Sequence, residues 1–429
     1  MVRPRRVGRL SDRDTLPPIE ERLAAAGLPP LPRRAWIEVD LSAITANLAA
    51  IRLVAGPGVA IHPIVKADAY GHGAVPVARA LEAAGADGFC VATWDEAVEL
   101  RRGGLRAGIL ALYAIPEAFA IDAARLGVAV AVGDEVLLDR LCATVSAGRP
   151  RRALRVHLGV ETGLGRDGFA VEAVVAAARR VRATRGLRLA ALWTHLQEPE
   201  DARRRAAQVE RFDAAAGALV LAGITLPERH LSASGDLFHP PLPAYEAIRP
   251  GLAVYGLDPD DLPTGTDGRP RSGPRRGPPL VPSLSLHARP VRVADLPTGW
   301  GVSYGPTFET RRPSRIATLP LGYADGWPRS LSNRAEALVR GCRVPIVGNV
   351  AMDAIMVDVT DVPGSPVGVD EEFVLIGSQG GQTIGTGDLA RLRPTISREV
   401  ATDLSRRLPR VYHAAAGPTG TRTLLNGAP

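Results

Sequence analysis

The sequence has 429 residues, enough for two domains with substantial hydrophobic cores. Its net charge is +7 and its pI about 9.8, but the arginines are scattered among acidic residues, so the charge does not indicate nucleic-acid binding. Three cysteines lack the spacing of metal ligands, and no apolar run reaches the ~18 residues of a membrane span, so neither a metal site nor a membrane segment is predicted. Because no apolar core follows the basic N-terminus, we expect a cytoplasmic protein.

The N-terminal part of the chain predicts little chemistry. Residues 1–34 are rich in arginine and proline, and we expect an N-terminal extension with one short helix around residues 19–26. Residues 36–40 alternate like a β-strand. Asp40 or Ser42 is placed to cap a following helix that ends at the glycine-proline-glycine of residues 56–58.

From residue 59, apolar strand-like runs alternate with alanine-rich segments of helical length. This alternation indicates βαβ units and a parallel sheet. Eight strands in about 200 residues favour a closed (β/α)8 barrel, a TIM-like α/β fold, and no G-x-G-x-x-G follows the first strand to indicate a dinucleotide-binding domain. The predicted strands are 60–65, 89–93, 107–112, 127–132, 153–160, 187–194, 229–234 and 248–255, and the predicted helices are 74–84, 94–103, 116–126, 134–147, 169–184 and 201–222.

The pattern changes after residue 258. We expect the barrel to occupy residues 35–258 and a linker or insertion, rich in proline, glycine and arginine, to occupy residues 259–282. Residues 283–429 contain short alternating runs separated by proline, glycine and aspartate, which predict a C-terminal, mainly-β domain. Within it, residues 400–408 are expected to form a closing helix.

Lys66 is the only lysine in the chain, and the other 51 basic residues are arginines. An arginine-rich coding bias explains the arginines, and chance survival of one lysine is the alternative to a chemical role. A desolvated lysine amine can lose its proton and form a Schiff base, whereas a guanidinium cannot. Lys66 follows an apolar run and precedes Gly71-His72-Gly73, which places its amine at the carboxyl end of a buried strand. We therefore interpret Lys66 as a catalytic amine.

Other polar residues fall at the ends of the later strands. Arg166 follows the fifth predicted strand, His195 ends the sixth, Ser234 closes the seventh and Arg249 lies at the eighth. The carboxyl ends of barrel strands carry the active site in such folds, and the loops after strands seven and eight commonly bind phosphate. The sequence therefore predicts one active site at this rim.

The stretch Val65-Lys66-Ala-Asp-Ala-Tyr70-Gly-His72-Gly resembles the alanine racemase family of pyridoxal-phosphate enzymes, whose cofactor lysine lies in a V-K-A-[ND]-A-Y-G-H-G motif. The resemblance extends over residues 36–413. It implies pyridoxal 5'-phosphate as cofactor, a barrel followed by a β domain, and a head-to-tail homodimer that shares its active sites. It also implies that L- and D-alanine are interconverted to supply D-alanine for peptidoglycan.

The resemblance assigns two catalytic bases on opposite faces of the substrate. Lys66 would hold the cofactor and act as one base. Tyr304, in Trp300-Gly-Val-Ser-Tyr304-Gly, matches the second base, which comes from the other subunit. Arg249 matches the arginine beside the pyridine nitrogen, where a permanent donor keeps that nitrogen unprotonated and suppresses transamination. His195 is expected to support Arg249.

The resemblance also assigns the binding residues. The phosphate is expected at Tyr70, Ser234, the backbone of Gly251 and Leu252, and Tyr412, because hydroxyl and N–H groups are suitable phosphate donors. The substrate is expected to contact Arg166, Met352, Asp353 and Tyr323.

Structural alternatives exist for several of these residues. His195 fits an ordinary buried histidine, Arg166 a turn-capping residue, and Tyr412 an anchor for the closing helix. Tyr304 and Tyr323 fit packing residues of the β domain.

Several positions depart from the family pattern. Gly159 replaces a lysine that often orients the substrate arginine, and Glu161 replaces an aspartate, so Glu161, a bound anion or water is expected to orient Arg166. These changes keep two alternatives open: a racemase or epimerase of another small amino acid such as serine, in secondary metabolism, and a non-catalytic pyridoxal-phosphate-binding protein. Further departures are Ala233, Asn349, Ala351 and the Leu196-Gln197-Glu198 sequence.

Overall fold

The computed structural model describes residues 16–239, 245–257 and 277–426. Residues 1–15 of the expected extension and residues 259–276 of the expected linker lie outside the described residues. Within the described ranges, none of the helices has the length and apolar character that a membrane crossing requires.

The N-terminal helix is packed against the protein. It forms α1 (Ile19–Ala25), close to its predicted position, and buries Ile19 and Leu23 against Trp36 and Val411. Arg22 donates two hydrogen bonds, of 3.1 and 2.8 Å, to the buried carboxylate of Glu38. The segment 16–34 is thus a strap held by apolar contacts and an ion pair.

The next strand belongs to the C-terminal sheet. It is β1 (Ala35–Asp40), and it is followed by α2 (Leu41–Ala55), whose first turn is capped by Asp40 through the Ala43 N–H at 3.0 Å. The pairing partners of β1 are two strands of the second domain, residues 284–288 and 410–414. The alternation of residues 36–40 correctly predicts a strand. We expected this strand to begin the barrel domain, but it pairs with strands of the C-terminal sheet.

The barrel contains eight parallel strands: β2 (Ala60–Ile61), β3 (Gly88–Val91), β4 (Gly108–Ala111), β5 (Val128–Val132), β6 (Leu154–Gly159), β7 (Leu187–Trp193), β8 (Glu228–His230) and β9 (Ala247–Ile248). Their order is β2-β9-β8-β7-β6-β5-β4-β3. A parallel bridge between Ile64 and Cys90 joins the segment after β2 to β3 and closes the ring. The predicted (β/α)8 fold is confirmed.

Two of the barrel helices begin at aspartates that cap them. Asp134 accepts the Leu137 N–H at 2.9 Å, and Asp201 accepts the Arg203 and Arg204 N–H groups at 2.9 and 3.0 Å, so these aspartates define the first turns of two helices. The helices are α4 (Ala74–Ala83), α5 (Trp94–Arg102), α6 (Ala120–Leu126), α7 (Glu135–Gly148), α8 (Val174–Ala183) and α9 (Ala202–Leu221); a one-turn element, α3 (Lys66–Tyr70), precedes them.

The second domain is mainly β, as predicted. Its strands join β1 in an eleven-stranded sheet and are β10 (Leu284–Ala288), β11 (Arg292–Leu296), β12 (Ser314–Leu319), β13 (Glu336–Val339), β14 (Cys342–Val347), β15 (Ile355–Asp358), β16 (Phe373–Gln379), β17 (Gln382–Ile384), β18 (Arg410–Ala414) and β19 (Gly417–Arg422). Its helices are α10 (Thr386–Leu392) and α11 (Ser397–Thr402). The predicted helix 400–408 is wrong beyond Thr402, because the Ser405 N–H bonds to Asp325 and Pro409 then begins the approach to β18.

Candidate active site

Lys66 lies at the start of a strained turn. Residues 67–70 of α3 all have left-handed backbone angles, with φ between 51° and 55°. A left-handed conformation costs a non-glycine residue roughly 1–2 kcal/mol, so four in succession need support from the surrounding structure. The residue that carries the amine is thus attached to a backbone of unusual, imposed geometry.

The support comes from both domains. The Asp68 carboxylate accepts the Ala74 N–H at 2.9 Å and pairs with the Arg422 guanidinium, with Nη1 2.7 Å from Oδ1. Burial alone would raise the pKa of Asp68, but the hydrogen bond and charge of Arg422 outweigh it, so the pKa lies below its usual value. On the other side, a Cβ on Gly71 would lie 2.2 Å from the Ala401 carbonyl oxygen, so α11 packs directly on this turn.

A cavity of about 830 Å³ opens beside this turn. It lies at the carboxyl ends of the barrel strands, where the sequence placed the active site. Seven of the predicted site residues line it: Lys66, Tyr70, Arg166, His195, Ser234, Gly251 and Leu252.

The environment of Lys66 shifts its amine towards the neutral form. Burial, followed by the positive charge of Arg166, lowers the pKa of the Lys66 amine below its usual value. Within the described residues no carboxylate forms an ion pair with it. A neutral amine is the form that attacks a carbonyl group, so the site is suited to covalent attachment of an aldehyde.

Arg249 directly follows β9 and is 1% exposed. Its Nη2 donates to the Thr194 carbonyl at 2.8 Å, and its guanidinium carbon lies 5.0 Å from the centre of the Trp193 ring. Burial lowers the pKa of Arg249 to about 10, which leaves it charged at neutral pH. Arg249 is therefore a charged donor at neutral pH, and the buried carboxylate of Asp236 is near enough to act on its pKa.

Within the described residues, the histidine that hydrogen-bonds to Arg249 is His230, a contact that the sequence did not predict, while the supporting role expected of His195 stays a prediction. Arg249 Nη1 donates to His230 Nδ1, and His230 Nε2 lies 2.9 Å from His157 Nδ1. Burial and the Arg249 charge keep the pKa of His230 far below its usual value, so the ring is neutral and its Nε2–H donates to His157. His230 falls within the predicted strand 229–234, which precedes the predicted strand that carries Arg249. The adjacency of these two strands was the sequence signal that could have predicted the contact.

His195 instead lines the cavity directly. Burial, followed by the charges of Arg249 and Arg166, lowers the pKa of His195 to about 3. It therefore remains a neutral imidazole throughout the physiological range, able to donate one hydrogen bond and accept one.

Hydroxyl and N–H groups converge at the end of the cavity near Gly251. Ser234 Oγ accepts the N–H groups of Gly251 and Ala253 at 2.8 and 3.2 Å. A Cβ on Gly251 would lie 2.8 Å from the Tyr70 hydroxyl, so a larger residue would fill this space. Burial raises the pKa of Tyr70 to about 12, which keeps its hydroxyl protonated and able to donate. This donor set fits a phosphate group.

The orientation of Arg166 differs from one of the expectations. Glu161 accepts the backbone N–H groups of Gly165 and Arg166 at 2.9 and 3.2 Å, so it shapes the loop without pairing to the guanidinium. The guanidinium carbon lies 5.9 Å from the Tyr113 ring centre, and within the described ranges no carboxylate pairs with it. A Cβ on Gly159 would lie 3.5 Å from Trp193 Nε1. The Trp193 indole therefore borders the space that a lysine side chain at position 159 would enter.

Tyr412 does not reach the cavity. It lies on β18, is 3% exposed, and places its hydroxyl 2.0 Å from where a Cβ on Gly73 would be. It lines a separate surface pocket between α4 and β19. The expected phosphate contact of Tyr412 is therefore wrong in this structure, because the chain between α11 and β18 carries the ring behind the lysine turn.

The predicted β-domain residues lie on the surface and do not line this chain's cavity. Tyr304, Met352 and Tyr323 are 78%, 52% and 44% exposed. The segment 349–353 connects them: Asn349 donates to the Tyr304 carbonyl at 2.9 Å, and the Tyr323 N–H donates to the Ala351 carbonyl at 3.1 Å. We call Tyr304, Tyr323 and Met352 the exposed patch. Asp353, in the same segment, pairs with Arg407 at 2.6 Å.

The structure adds cavity residues that sequence reasoning missed. Arg398 gave no signal because arginine is everywhere in this chain, whereas the sequence after His195 was already noted as a departure. The added polar residues are Gln197, Glu198, Glu200, Arg204, Asp236, Arg398, Glu399 and Thr402.

Comparisons with known proteins agree with this architecture. The family model for the alanine racemase N-terminal domain matches residues 39–259, and that for the alanine racemase C-terminal domain matches residues 283–412. An alanine racemase of Symbiobacterium thermophilum is 41% identical, over 89% of this chain and 97% of the relative.

Two solved structures extend the comparison. An alanine racemase of Bacillus anthracis with bound L-Ala-P has a TM-score of 0.83 and 31% identity, covering 93% of this chain and 100% of that one. A histidine racemase of Leuconostoc mesenteroides has a TM-score of 0.79 and 29% identity, covering 90% of this chain and 99% of that one.

Proposed function

Because the chain belongs to the alanine racemase family, we propose that this amino-acid racemase interconverts L-alanine and D-alanine with pyridoxal 5'-phosphate and supplies D-alanine for peptidoglycan. The observation that carries the proposal is the placement of Lys66. Its amine, with a lowered pKa, shares a cavity with a phosphate-type donor set and with Arg166.

The residues present fit the cofactor. Lys66 would hold it covalently, while Tyr70, Ser234 and the backbone at Gly251 and Leu252 would hold its phosphate. The space at Gly251, which a Cβ would fill, supports this assignment. When bound, pyridoxal phosphate withdraws electrons from the amino acid and makes its α C–H bond acidic.

The protein's own groups would then move the proton. Lys66, once the substrate's amine has displaced it from the cofactor, would exchange the proton with Cα on one face, and the partner subunit's Tyr304 would exchange it on the opposite face. One base cannot readily deliver a proton to the face opposite the one that it deprotonated, so the two-base arrangement favours racemisation. The guanidinium of Arg166, which pairs with no carboxylate among the described residues, is available for the substrate carboxylate.

A homodimer is part of the proposal because the described cavity holds only one of the two bases. Tyr304 is among the most exposed large side chains of the described residues. A tyrosine needed as a base but directed to solvent in its own chain is accounted for by a second subunit whose cavity it enters. Met352 and Tyr323, in the same exposed patch, would then narrow that cavity.

The second candidate is racemisation of another small amino acid such as serine. Gly159 and Glu161 favour it, because the surroundings of Arg166 differ from those expected for an alanine enzyme. The neighbour named as a histidine racemase also has this fold. Binding of the cofactor without turnover is disfavoured by the complete β domain with Tyr304.

The test is to load the protein with pyridoxal phosphate, reduce it with borohydride and locate the modification by mass spectrometry. Racemisation of both enantiomers of alanine and serine is then measured. We expect modification at Lys66 and a kcat/KM for alanine on the order of tenfold or more above that for serine. Lys66→Arg is the control, because it keeps the charge and cannot be modified. A higher kcat/KM for serine would contradict the substrate assignment.

A further inference from the structure

The β domain contributes to the cavity of its own chain. Helix α11 packs against the lysine turn at Gly71, and Ile396, Arg398, Glu399 and Thr402 line the cavity with Tyr70 and Gly251. Since backbone meets backbone at Gly71, α11 is held at a fixed distance from Lys66. A side chain from α11 therefore has a defined place in the site.

Arg398 differs from the other arginines around it. Nearby, Arg393 pairs with Asp403 and Arg407 with Asp353, at 2.7 and 2.6 Å. Across the described ranges, by contrast, no carboxylate or hydrogen-bond acceptor pairs with the half-buried Arg398 guanidinium. A partly desolvated cation without a counter-charge is stabilised when an anion binds beside it.

Among the described donors that converge near Gly251, none is charged. With Tyr412 outside the cavity, the donors near Gly251 are the Tyr70 and Ser234 hydroxyls and backbone N–H groups, all of them neutral. The phosphate of pyridoxal phosphate carries close to two negative charges at neutral pH. Charged donors bind such a group about twice as strongly as neutral ones.

The two unpaired arginines of the cavity act at different ends. Burial raises the pKa of Tyr70, and Arg398 is the charge that opposes this rise. For the Lys66 amine, Arg166 exerts the larger effect and Arg398 a smaller one. Arg398, which lines the cavity together with Tyr70 and Gly251, thus acts on the hydroxyl expected at the phosphate end, whereas Arg166 acts more strongly on the amine.

We propose that Arg398 binds the phosphate group of the cofactor, so that the β domain supplies the positive charge of the phosphate site within the same chain. The inference rests on the proposed function, because it requires pyridoxal phosphate to occupy the cavity through Lys66. The alternative for this cation is the substrate carboxylate, which the experiment below distinguishes.

The experiment compares pyridoxal phosphate with pyridoxal, which has the same aldehyde and no phosphate. Dissociation constants for both are measured for the wild-type protein, Arg398→Gln and Arg398→Lys. The matched control is Arg204→Gln, a cavity arginine that already pairs with Glu198 and Asp201 at 3.4 and 3.5 Å. The phosphorus NMR signal of the bound cofactor is recorded in parallel.

We expect Arg398→Gln to weaken binding of pyridoxal phosphate by about 10-fold or more, and to leave binding of pyridoxal unchanged. Arg398→Lys should restore most of the preference for pyridoxal phosphate over pyridoxal, and Arg204→Gln should keep that preference. Only the Arg398 variants should shift the phosphorus NMR signal of the bound cofactor. Equal weakening of both ligands would indicate a structural role and overturn the proposal. Unchanged binding with a raised KM for alanine would assign Arg398 to the carboxylate and also overturn it. A wild-type protein that binds neither ligand would instead refute the proposed function.

Discussion

The β domain has two surfaces that relate to an active site in different ways. Through α11 it packs on the lysine turn and places Arg398 in the cavity of its own chain. Through the exposed patch, Tyr304, Tyr323 and Met352, it presents large side chains to solvent. The first surface is complete within one chain, and the second acquires a role only when another subunit faces it. Substitutions on the α11 surface should therefore affect cofactor binding, and substitutions in the exposed patch should affect proton transfer.

The largest effect is expected at the exposed patch. Tyr304→Phe removes the second base, so racemisation should fall by roughly 10²–10⁴-fold while covalent attachment of the cofactor at Lys66 is unchanged. Activity and borohydride trapping are measured together. Tyr323→Phe is the matched control, because it removes a hydroxyl from the same patch without removing the proposed base. Loss of cofactor in Tyr304→Phe would contradict the separation of the two surfaces.

Mixing inactive variants sharpens this comparison. Lys66→Arg and Tyr304→Phe subunits, dissociated and reassociated together, form mixed dimers that contain one site with both bases intact. We expect the mixture to recover up to about a quarter of wild-type activity, the value for random two-fold pairing. Each variant treated alone should remain inactive. No recovery, with mixed dimers demonstrably present, would place both residues in one chain.

Within the chain, the next largest effect is expected at the lysine turn. Asp68→Asn leaves Arg422 without its buried counter-charge and should lower the free energy of unfolding by about 3 kcal/mol, and weaken cofactor attachment. Denaturant titration and the dissociation constant of pyridoxal phosphate measure the two effects. Adding Arg422→Gln to Asp68→Asn should recover part of the loss, because no unpaired charge then remains. Fully additive losses would show that the pair does not support the turn.

Acid should weaken the barrel through its histidines. Burial lowers the pKa of His62 and His72 to about 4, below the unfolded value near 6.5. Between these values the unfolded chain binds more protons than the folded one, so stability falls as the pH drops from about 6.5 towards 4, by up to about 1.4 kcal/mol per pH unit for each histidine. Denaturant titrations at several pH values measure this slope. His62→Gln should reduce the slope of stability against pH by about the contribution of one proton. An unchanged slope would contradict the claim that His62 is buried in its neutral form.

The smallest effect concerns the amine itself. Arg166 helps to lower the pKa of Lys66, so Arg166→Leu should raise that pKa and shift the pH profile of cofactor attachment towards higher pH. Attachment is measured by trapping across a pH series. Arg204→Gln, on the same cavity but already paired, should leave the profile in place. A shift towards lower pH in Arg166→Leu would contradict the electrostatic assignment.

Local signals predicted most of the barrel. Each predicted barrel strand overlaps an observed one, because an apolar run is a property of neighbouring residues, but the predicted strand 248–255 is wrong over residues 252–255, which form a 3-10 helix. Lys66 was conspicuous because the chain has no other lysine, and for the opposite reason Arg398 was hidden among 51 arginines. The catalytic roles of Lys66 and Tyr304 stay predictions.

Non-local packing set what the sequence did not predict. The strand character of residues 36–40 was visible, but their pairing with β10 and β18 depends on residues more than two hundred positions away. His195 lies two residues beyond β7 and His230 ends β8, and only the three-dimensional register shows that His230 hydrogen-bonds to Arg249. The sequence pattern around Tyr412 predicted that it would lie in the active site. In the structure, the chain after the short α11 places it behind the lysine turn.

The two-base claim is tested most directly in D2O, with the cofactor-loaded protein and L-alanine. Exchange of the α-proton is followed by NMR and the chirality of the product is measured in the same sample. We expect deuterium to enter Cα and D-alanine to form. Exchange with full retention of the L configuration would contradict the role of Tyr304, and no exchange from either enantiomer, with Lys66 carrying the cofactor, would contradict alanine as the substrate.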